Sequence, residues 1–393
     1  MFRGPVRAAL IGALVFVSAL GVAAAASAST LYVSTHGNNK NACTKKKPCK
    51  TIGQAIKKAH HGDTVSVGKG TYKTEVKISE PISVVGTNNP VIDAKGKDNG
   101  VLISGSGASG AMVKGFVVKN ATFEGVLAMR TANVVIRNNT VQNNDQGGKS
   151  AHPTGECAPT GNVPGDCGEG LHLMTVRLSQ VLNNTVKNNA GGILITDELG
   201  PTAFNSIVGN KSLNNVLDCG ITLASHNAKA VSASGAPQPA TAGVYDNYVA
   251  NNTANGNGTQ GQGGGILIAA PGPGTGTYNN VVNGNTANDN GLAGVTLHSH
   301  APGQYLNGNI ITNNSLSNDG IAGNGIGKPG DSDFGVTNTV GILIGSAVTK
   351  LQGIVVANNA ISNVFYGVWT QNVTAGSVSS NVYSSVTTPV TNT

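Results

Sequence analysis

A compound phrase returns along the whole chain: an asparagine-rich turn, then within a few residues a short apolar strand that opens with glycine. The turn half reads Asn138-Asn139-Thr140, Asn183-Asn184-Thr185, Asn251-Asn252-Thr253, Asn313-Asn314-Ser315 and Asn358-Asn359-Ala360. The strand half reads Gly170-Leu171-His172-Leu173, Gly192-Ile193-Leu194-Ile195, Gly220-Ile221-Thr222-Leu223, Gly265-Ile266-Leu267-Ile268, Gly294-Val295-Thr296-Leu297, Gly341-Ile342-Leu343-Ile344 and Gly367-Val368-Trp369-Thr370. A unit this small cannot bury its apolar face alone, so repetition on this scale specifies a wound chain in which each coil packs on its neighbours. The asparagine column at 139, 184, 210, 252, 285, 314 and 359 has a shortest interval of 26 residues and others of 29 to 45. One turn of about that minimum, with insertions, accounts for all of them. The longest insertions, 146–168, 226–243 and 321–338, fall next to the glycine strand. Loops gathered on one side of a solenoid wall a groove there.

Outside the strands, helical periodicity is confined to Thr51 to His60, where Ile52, Ala55, Ile56 and Ala59 share one face. A helix here caps the apolar end of the first coil and its unpaired strand edges. Thr64–Val67, Thr74–Ile78 and Ile82–Val85 are the expected first coils. Three segments follow: 1–28, 29–98 (cap and first coils) and 99–393 (body).

Residues 1–28 read as a signal peptide. Arg3 and Arg7 precede an apolar run from Ala8 to Val22 and the small-residue site Ala26-Ser27-Ala28, which predicts a secreted mature protein starting near Ser29. No later segment is apolar enough to span a bilayer, so no membrane association is expected after signal removal. Cysteine spacing fits an oxidising destination: Cys43 with Cys49, and Cys157 with Cys167, read as local loop staples. Cys219 is left over, and its place before a strand glycine suits a buried small hydrophobe better than a nucleophile. The positive charge is concentrated at the start. Residues 29–98 carry a net +7 and residues 99–393 a net −2. That patch would attract a polyanion or simply be solvated. Basic residues are not interleaved with aromatics, which argues against nucleic acid.

The chain resembles the secreted right-handed parallel β-helix proteins of the pectate-lyase-like superfamily. The likeness rests on Tyr32-Val33-Ser34-Thr35-His36-Gly37, on the cap Pro48-Cys49-Lys50-Thr51-Ile52-Gly53-Gln54-Ala55-Ile56, on Gly62-Asp63-Thr64-Val65 and on the repeats. It implies an all-β solenoid of three short parallel sheets per coil, with asparagines stacked as ladders at a tight turn. The superfamily includes pectate and pectin lyases, polygalacturonase-type hydrolases, chondroitin and alginate lyases, uronan epimerases and non-catalytic surface proteins, and fold does not select among them.

Aligned on the strand glycine, positions one and three are Ile, Val or Leu and face inward, so positions two and four face outward. This puts His172, Thr222, Thr296 and His298 on one outer stripe. At the leaving end of the strands lie Asp197 and Glu198 and, one coil on, Ser225 and His226. Glu198 and His226 share a column at roughly 5 Å. Glu169 and Asp218 lie at the entering end. Asp197, Glu198 and His226 are the candidate acid/base groups, and Glu169, His172, Asp218, Thr222, Ser225 and His298 the candidate substrate contacts. A glycoside hydrolase needs one protonated and one ionised carboxyl, for which the loop residues Glu156 and Asp166 are further candidates. A lyase needs a base such as His226 and a cation at the developing enolate. Ca²⁺ held by Asp197, Glu198 or Asp218 would supply that cation. Superfamily lyases often use Lys or Arg, and only Arg130 of the three body arginines (with Arg137 and Arg177) lies near the stripe.

The alternative for Asp197-Glu198-Leu199-Gly200-Pro201 is turn chemistry, with carboxylates satisfying backbone N–H groups. His298-Ser299-His300 would extend the groove or bind metal but lacks a third ligand in the sequence, and Asp331-Ser332-Asp333 lacks the spacing of a Ca²⁺ loop. Trp369 would stack a sugar or cap the solenoid end. The expected function is cleavage or modification of an extracellular polysaccharide, by lyase or hydrolase chemistry. A non-catalytic polysaccharide- or cell-surface-binding protein is the alternative.

Overall fold

The computed structural model describes residues 28–145, 169–260, 263–374 and 378–393. Its strands wind into a parallel β-helix. One face is a twelve-stranded sheet running from Thr30–Val33 to Val378–Ser379, every neighbouring pair parallel. The other strands form a second assembly covering two further faces. These join where Ala360–Gln371 turns a corner, pairing first with Ser315–Ser317 and then with Val340–Ser346. The coil from Asn359 to Asn381 takes 22 residues, shorter than the 26-residue minimum read from the sequence.

The asparagine doublets have two separate jobs. The first member sits in the left-handed region, as at Asn138, Asn183, Asn251, Asn313 and Asn358 (φ 54–57°), a conformation asparagine tolerates and glycine takes over at Gly209 and Gly284. The second member turns inward and stacks. Asn139 donates its backbone N–H and its Nδ2 to Oδ1 of Asn184, at 3.0 and 3.1 Å, and the same pattern continues through Asn210, Asn252, Asn285, Asn314, Asn359 and Asn381. Two more ladders follow the same rule: Asn144–Asn189–Asn215–Asn257–Asn290–Asp319, and Ser179–Asn205–Asn247–Asn280–Asn309. Buried polar turns are thereby satisfied without water.

The ladders also explain the strand glycine. A Cβ on Gly220 would lie 2.6 Å from Nδ2 of Asn257 and 2.7 Å from the Gly265 carbonyl oxygen. On Gly265 it would lie 2.9 Å from Nδ2 of Asn290. Inside the tube, Leu171, Leu173, Ile193, Ile195, Ile221, Leu223, Ile266 and Ile268 form one continuous core with the rest of the inward positions.

The cap is shorter than the sequence period suggests. The helix spans Ile52–Ile56, with the Thr51 hydroxyl accepting from the Gln54 N–H, and turns replace it beyond Lys57. Cys43 and Cys49 form a disulfide. Cys157 and Cys167, Glu156 and Asp166, the 146–168 insertion and residues 1–27 lie outside the described residues. Among the described residues no helix is long and apolar enough to cross a membrane.

Candidate active site

The outer face of four adjacent strands, Val126–Ala132, Glu169–Arg177, Gly191–Thr196 and Ile221–Ala224, carries a linked set of ionisable groups. Register places Leu127, His172, Leu194 and Thr222 in one outward column and Met129, Met174, Thr196 and Ala224 in the next. His172 lies between two partners: Nδ1 is 3.2 Å from Oε1 of Glu124, and Nε2 is 2.8 Å from the Thr196 hydroxyl. The Thr196 hydroxyl in turn donates to Oε2 of Glu198, whose Oε1 is 2.8 Å from Nδ1 of His226. The line Glu124–His172–Thr196–Glu198–His226 therefore crosses all four coils.

The proton positions follow from donor and acceptor counts. Burial acts to raise the pKa of Glu198, but the hydrogen bond from His226, the charges of His172 and His226 and the Thr196 hydroxyl outweigh it and bring it to about 2. An ionised carboxylate only accepts, so Thr196 donates to it and His172 Nε2–H donates to Thr196. By the same logic Nδ1–H of His226 donates to Glu198. In that tautomer Nε2 of His226 carries the lone pair. The His226 and Glu198 side chains are 7% and 23% exposed, so this end of the line is the one solvent reaches.

Asp197 has a different place from its neighbour. Oδ1 accepts from the N–H groups of His226 (2.7 Å) and Asn227 (3.1 Å). Oδ2 accepts from the Ser225 hydroxyl (2.9 Å) and the Gly243 N–H (2.6 Å). Burial raises its pKa against all four contacts. Its carboxylate thus ties down both ends of the 226–243 loop, which is the turn chemistry that the sequence left as its alternative. Ser225 is fully buried, donating to Asp197 and accepting from the Gly276 N–H at 2.9 Å, which makes it an anchor of the loop. Ca²⁺ does not fit at Asp197 or Glu198, because hydrogen-bond donors face each of their oxygens.

At the entering end, Glu169 and Asp218 are hydrogen-bonded through their side chains. The Glu169 carboxylate occupies the space a side chain on Gly191 would need, which accounts for the Gly191-Gly192 pair. Burial raises the Asp218 pKa, opposed by the Cys219 N–H (2.6 Å) and thiol, by Glu169 and by the charge of His226. Cys219 is buried, its Sγ accepting from the Gly264 N–H at 3.1 Å, and burial with the Asp218 charge holds it as a thiol. Thr222, largely buried, lies against that thiol.

Glu124 escaped the sequence reading, although the signal was present. It precedes a strand glycine, Gly125, as Glu169 precedes Gly170, so the two residues share one column on adjacent coils. His298 belongs to a separate cluster two coils further on. Trp369 is buried against Phe334 and Leu343 and offers no open platform for a sugar. Arg130 is exposed.

The comparisons agree with this architecture. A family model described as a right-handed β-helix region matches residues 82–236, and one for a protein of unknown function (DUF1565) matches residues 35–114. No curated protein matches the chain. Among solved structures, the GH136 lacto-N-biosidase from Eubacterium ramulus is similar with a TM-score of 0.52 at 11% identity, over 93% of this chain and 68% of that one. The catalytic domain of a GH87 α-1,3-glucanase, complexed with tetrasaccharides, is similar with a TM-score of 0.51 at 13% identity, over the same shares. ORF18 of Geobacillus virus E2 gives 0.51 at 12% identity, over 92% of this chain and 60% of its own. Likeness at this level is likeness of fold.

Proposed function

We propose that this parallel β-helix is a secreted glycoside hydrolase acting on an extracellular polysaccharide of low negative charge. The observation that carries this reading is the line from Glu124 to His226 beside the Glu169–Asp218 pair, in which carboxyl groups are pushed in opposite directions. Glu198 is held ionised, whereas burial raises the pKa of Asp218. Environments that drive the pKa values of neighbouring carboxyls apart assign a base side and an acid side.

In this reading Glu198 is too weak a base to take a proton itself, and it orients His226 and stabilises the charged imidazolium. His226 Nε2 takes a proton from the attacking water. The proton shared by Asp218 and Glu169 goes to the departing glycosidic oxygen. His172 and Thr196 hold Glu198 in place from behind, with Glu124 fixing the His172 ring. The charge of the site supports hydrolysis over elimination. Even with Glu169 and Asp218 sharing one proton, the carboxylates of this site outnumber its two histidines, a field that repels a polyuronate chain.

A second reading, non-catalytic binding, is favoured by how little of His172, Glu124 and Glu169 reaches solvent. Incubation with neutral, amino-sugar and uronate polysaccharides separates the two. Hydrolysis gives new reducing ends without unsaturated product, and Glu198→Gln and His226→Ala each lower the rate by about 10²–10⁴-fold. Unsaturated products overturn hydrolysis in favour of a lyase. Retention of a glycan without turnover, unchanged by either substitution, leaves the binding reading.

A further inference from the structure

The strand Val295–Ser299 carries a second cluster that the hydrolase reading does not use. His298 and His300 are two residues apart along extended chain, so both imidazoles leave the same face. Their rings meet edge to face, with centroids 4.6 Å apart. The register neighbours of His298 are Ala269 and Gly345, small residues that make room for the insertion to pack beside its ring. The 321–338 insertion then returns over this face and delivers a carboxylate.

That delivery is built rather than incidental. Asp331 caps the short turn Ser332–Phe334, its side chain accepting from the Asp333 N–H at 3.0 Å, and its backbone pairs with Val336. Phe334 packs on Trp369 at 5.7 Å, stacks on His300 at 5.6 Å and fills the space over Gly345. Asp333, one residue before Phe334, is thereby set beside the histidines. Oδ2 of Asp333 is 3.7 Å from Nε2 of His300, and one ligand atom from each of His298, His300 and Asp333 lies within 4.8 Å of the other two.

Nδ1 of His298 is buried with no hydrogen-bond partner. An unpaired buried ring nitrogen is costly unless something else meets it. Asp331, buried, fixes the backbone of Asp333 through its side chain.

We propose that His298, His300 and Asp333 hold a late first-row divalent cation, Zn²⁺ foremost. Two imidazoles and one carboxylate suit such an ion, whereas the all-oxygen preference of Ca²⁺ and Mg²⁺ does not match them. Tetrahedral bonds of about 2.0 Å put ligand atoms about 3.3 Å apart. Rotation of the exposed His300 and Asp333 side chains closes the remaining gap. Three protein ligands leave a coordination position open for water or a sugar hydroxyl. The site is two coils from His226, about 10 Å along the axis of the solenoid, and does not rest on the hydrolase assignment.

The test uses the full chain, freed of metal with a chelator and then titrated with Zn²⁺ and, in parallel, with Co²⁺. The expected result is one equivalent of Zn²⁺ by calorimetry and a visible Co²⁺ absorption band of a low-coordinate site. His300→Ala and Asp333→Asn, both at exposed positions, should each weaken Zn²⁺ binding at least tenfold while the unliganded melting temperature stays near that of the parent. His60→Ala/His61→Ala, at the other end of the chain, should leave affinity unchanged. Absence of a stoichiometric site, or a Zn²⁺ affinity that both cluster substitutions leave intact, overturns the proposal.

Discussion

Asp319 stands where every earlier member of its ladder is an asparagine. Oδ1 accepts from the backbone N–H and Nδ2 of Asn290, at 3.0 and 2.8 Å, as an asparagine oxygen would. Oδ2 is buried with no partner, and burial drives the pKa well up. The folded state therefore keeps a proton that the unfolded chain releases above about pH 4. Stability is lost as pH rises from there toward the folded pKa. Asp319→Asn removes this dependence and lets Nδ2 reach the Ala287 carbonyl, as Nδ2 of Asn290 reaches that of Ala254. The variant should be more stable at pH 7 by about 1–3 kcal/mol, with the gain shrinking as pH falls toward 4, read as melting temperature against pH. At this scale the sequence was informative wherever a side chain acts by type and spacing: the Glu198–His226 column and the Glu169–Asp218 end were both visible. Asp197 was harder to assign, because its role depends on four donors supplied by a returning loop. Asp333 was visible as a residue but not as a neighbour of His300, since 33 positions of chain separate them and only the packing of Phe334 closes that distance.

The elements repeat because strand and turn interlock. At Gly125, Gly170, Gly220 and Gly265 a ladder amide sits against the place a Cβ would take, and this is a steric demand rather than one of backbone freedom. Gly220, unlike Gly209 or Gly284, does not have a left-handed φ. Gly220→Ala forces a methyl onto Nδ2 of Asn257 and the Gly265 carbonyl. It should lower stability by roughly 2–4 kcal/mol, combining overpacking with a disturbed buried hydrogen bond. The shift in denaturant midpoint measures it. Periodicity made these strands legible. The cap helix was overextended by the same reasoning, since an apolar face on Ala59 persists after the hydrogen-bonded helix has stopped at Ile56.

Across the whole molecule, each coil touches mainly the coils before and after it, so damage should stay local. Asn210→Ala strands the N–H of Asn184, leaves its Nδ2 with the Ile136 carbonyl alone and removes the Nδ2 donor to the Val181 carbonyl. Hydrogen exchange should quicken in the turns around Asn184, Asn210 and Asn252 while the first coils keep their protection, and uniform loss along the chain would contradict a nearest-neighbour solenoid. The wound architecture was readable from the repeat alone. The burial of His172, Thr196 and Thr222 on the outer face was not, because a repeat period does not say what covers a face.

The ladders also have a direction. Wherever asparagine follows asparagine, the earlier coil offers the backbone N–H and Nδ2, and the later coil supplies the Oδ1 that receives them. A growing chain thus always presents waiting donors at its newest corner, and the next coil to emerge brings the matching acceptor. Synthesis from the N-terminus can lay each coil on a finished template, so order spreads vectorially with the nascent chain instead of waiting for its last residue.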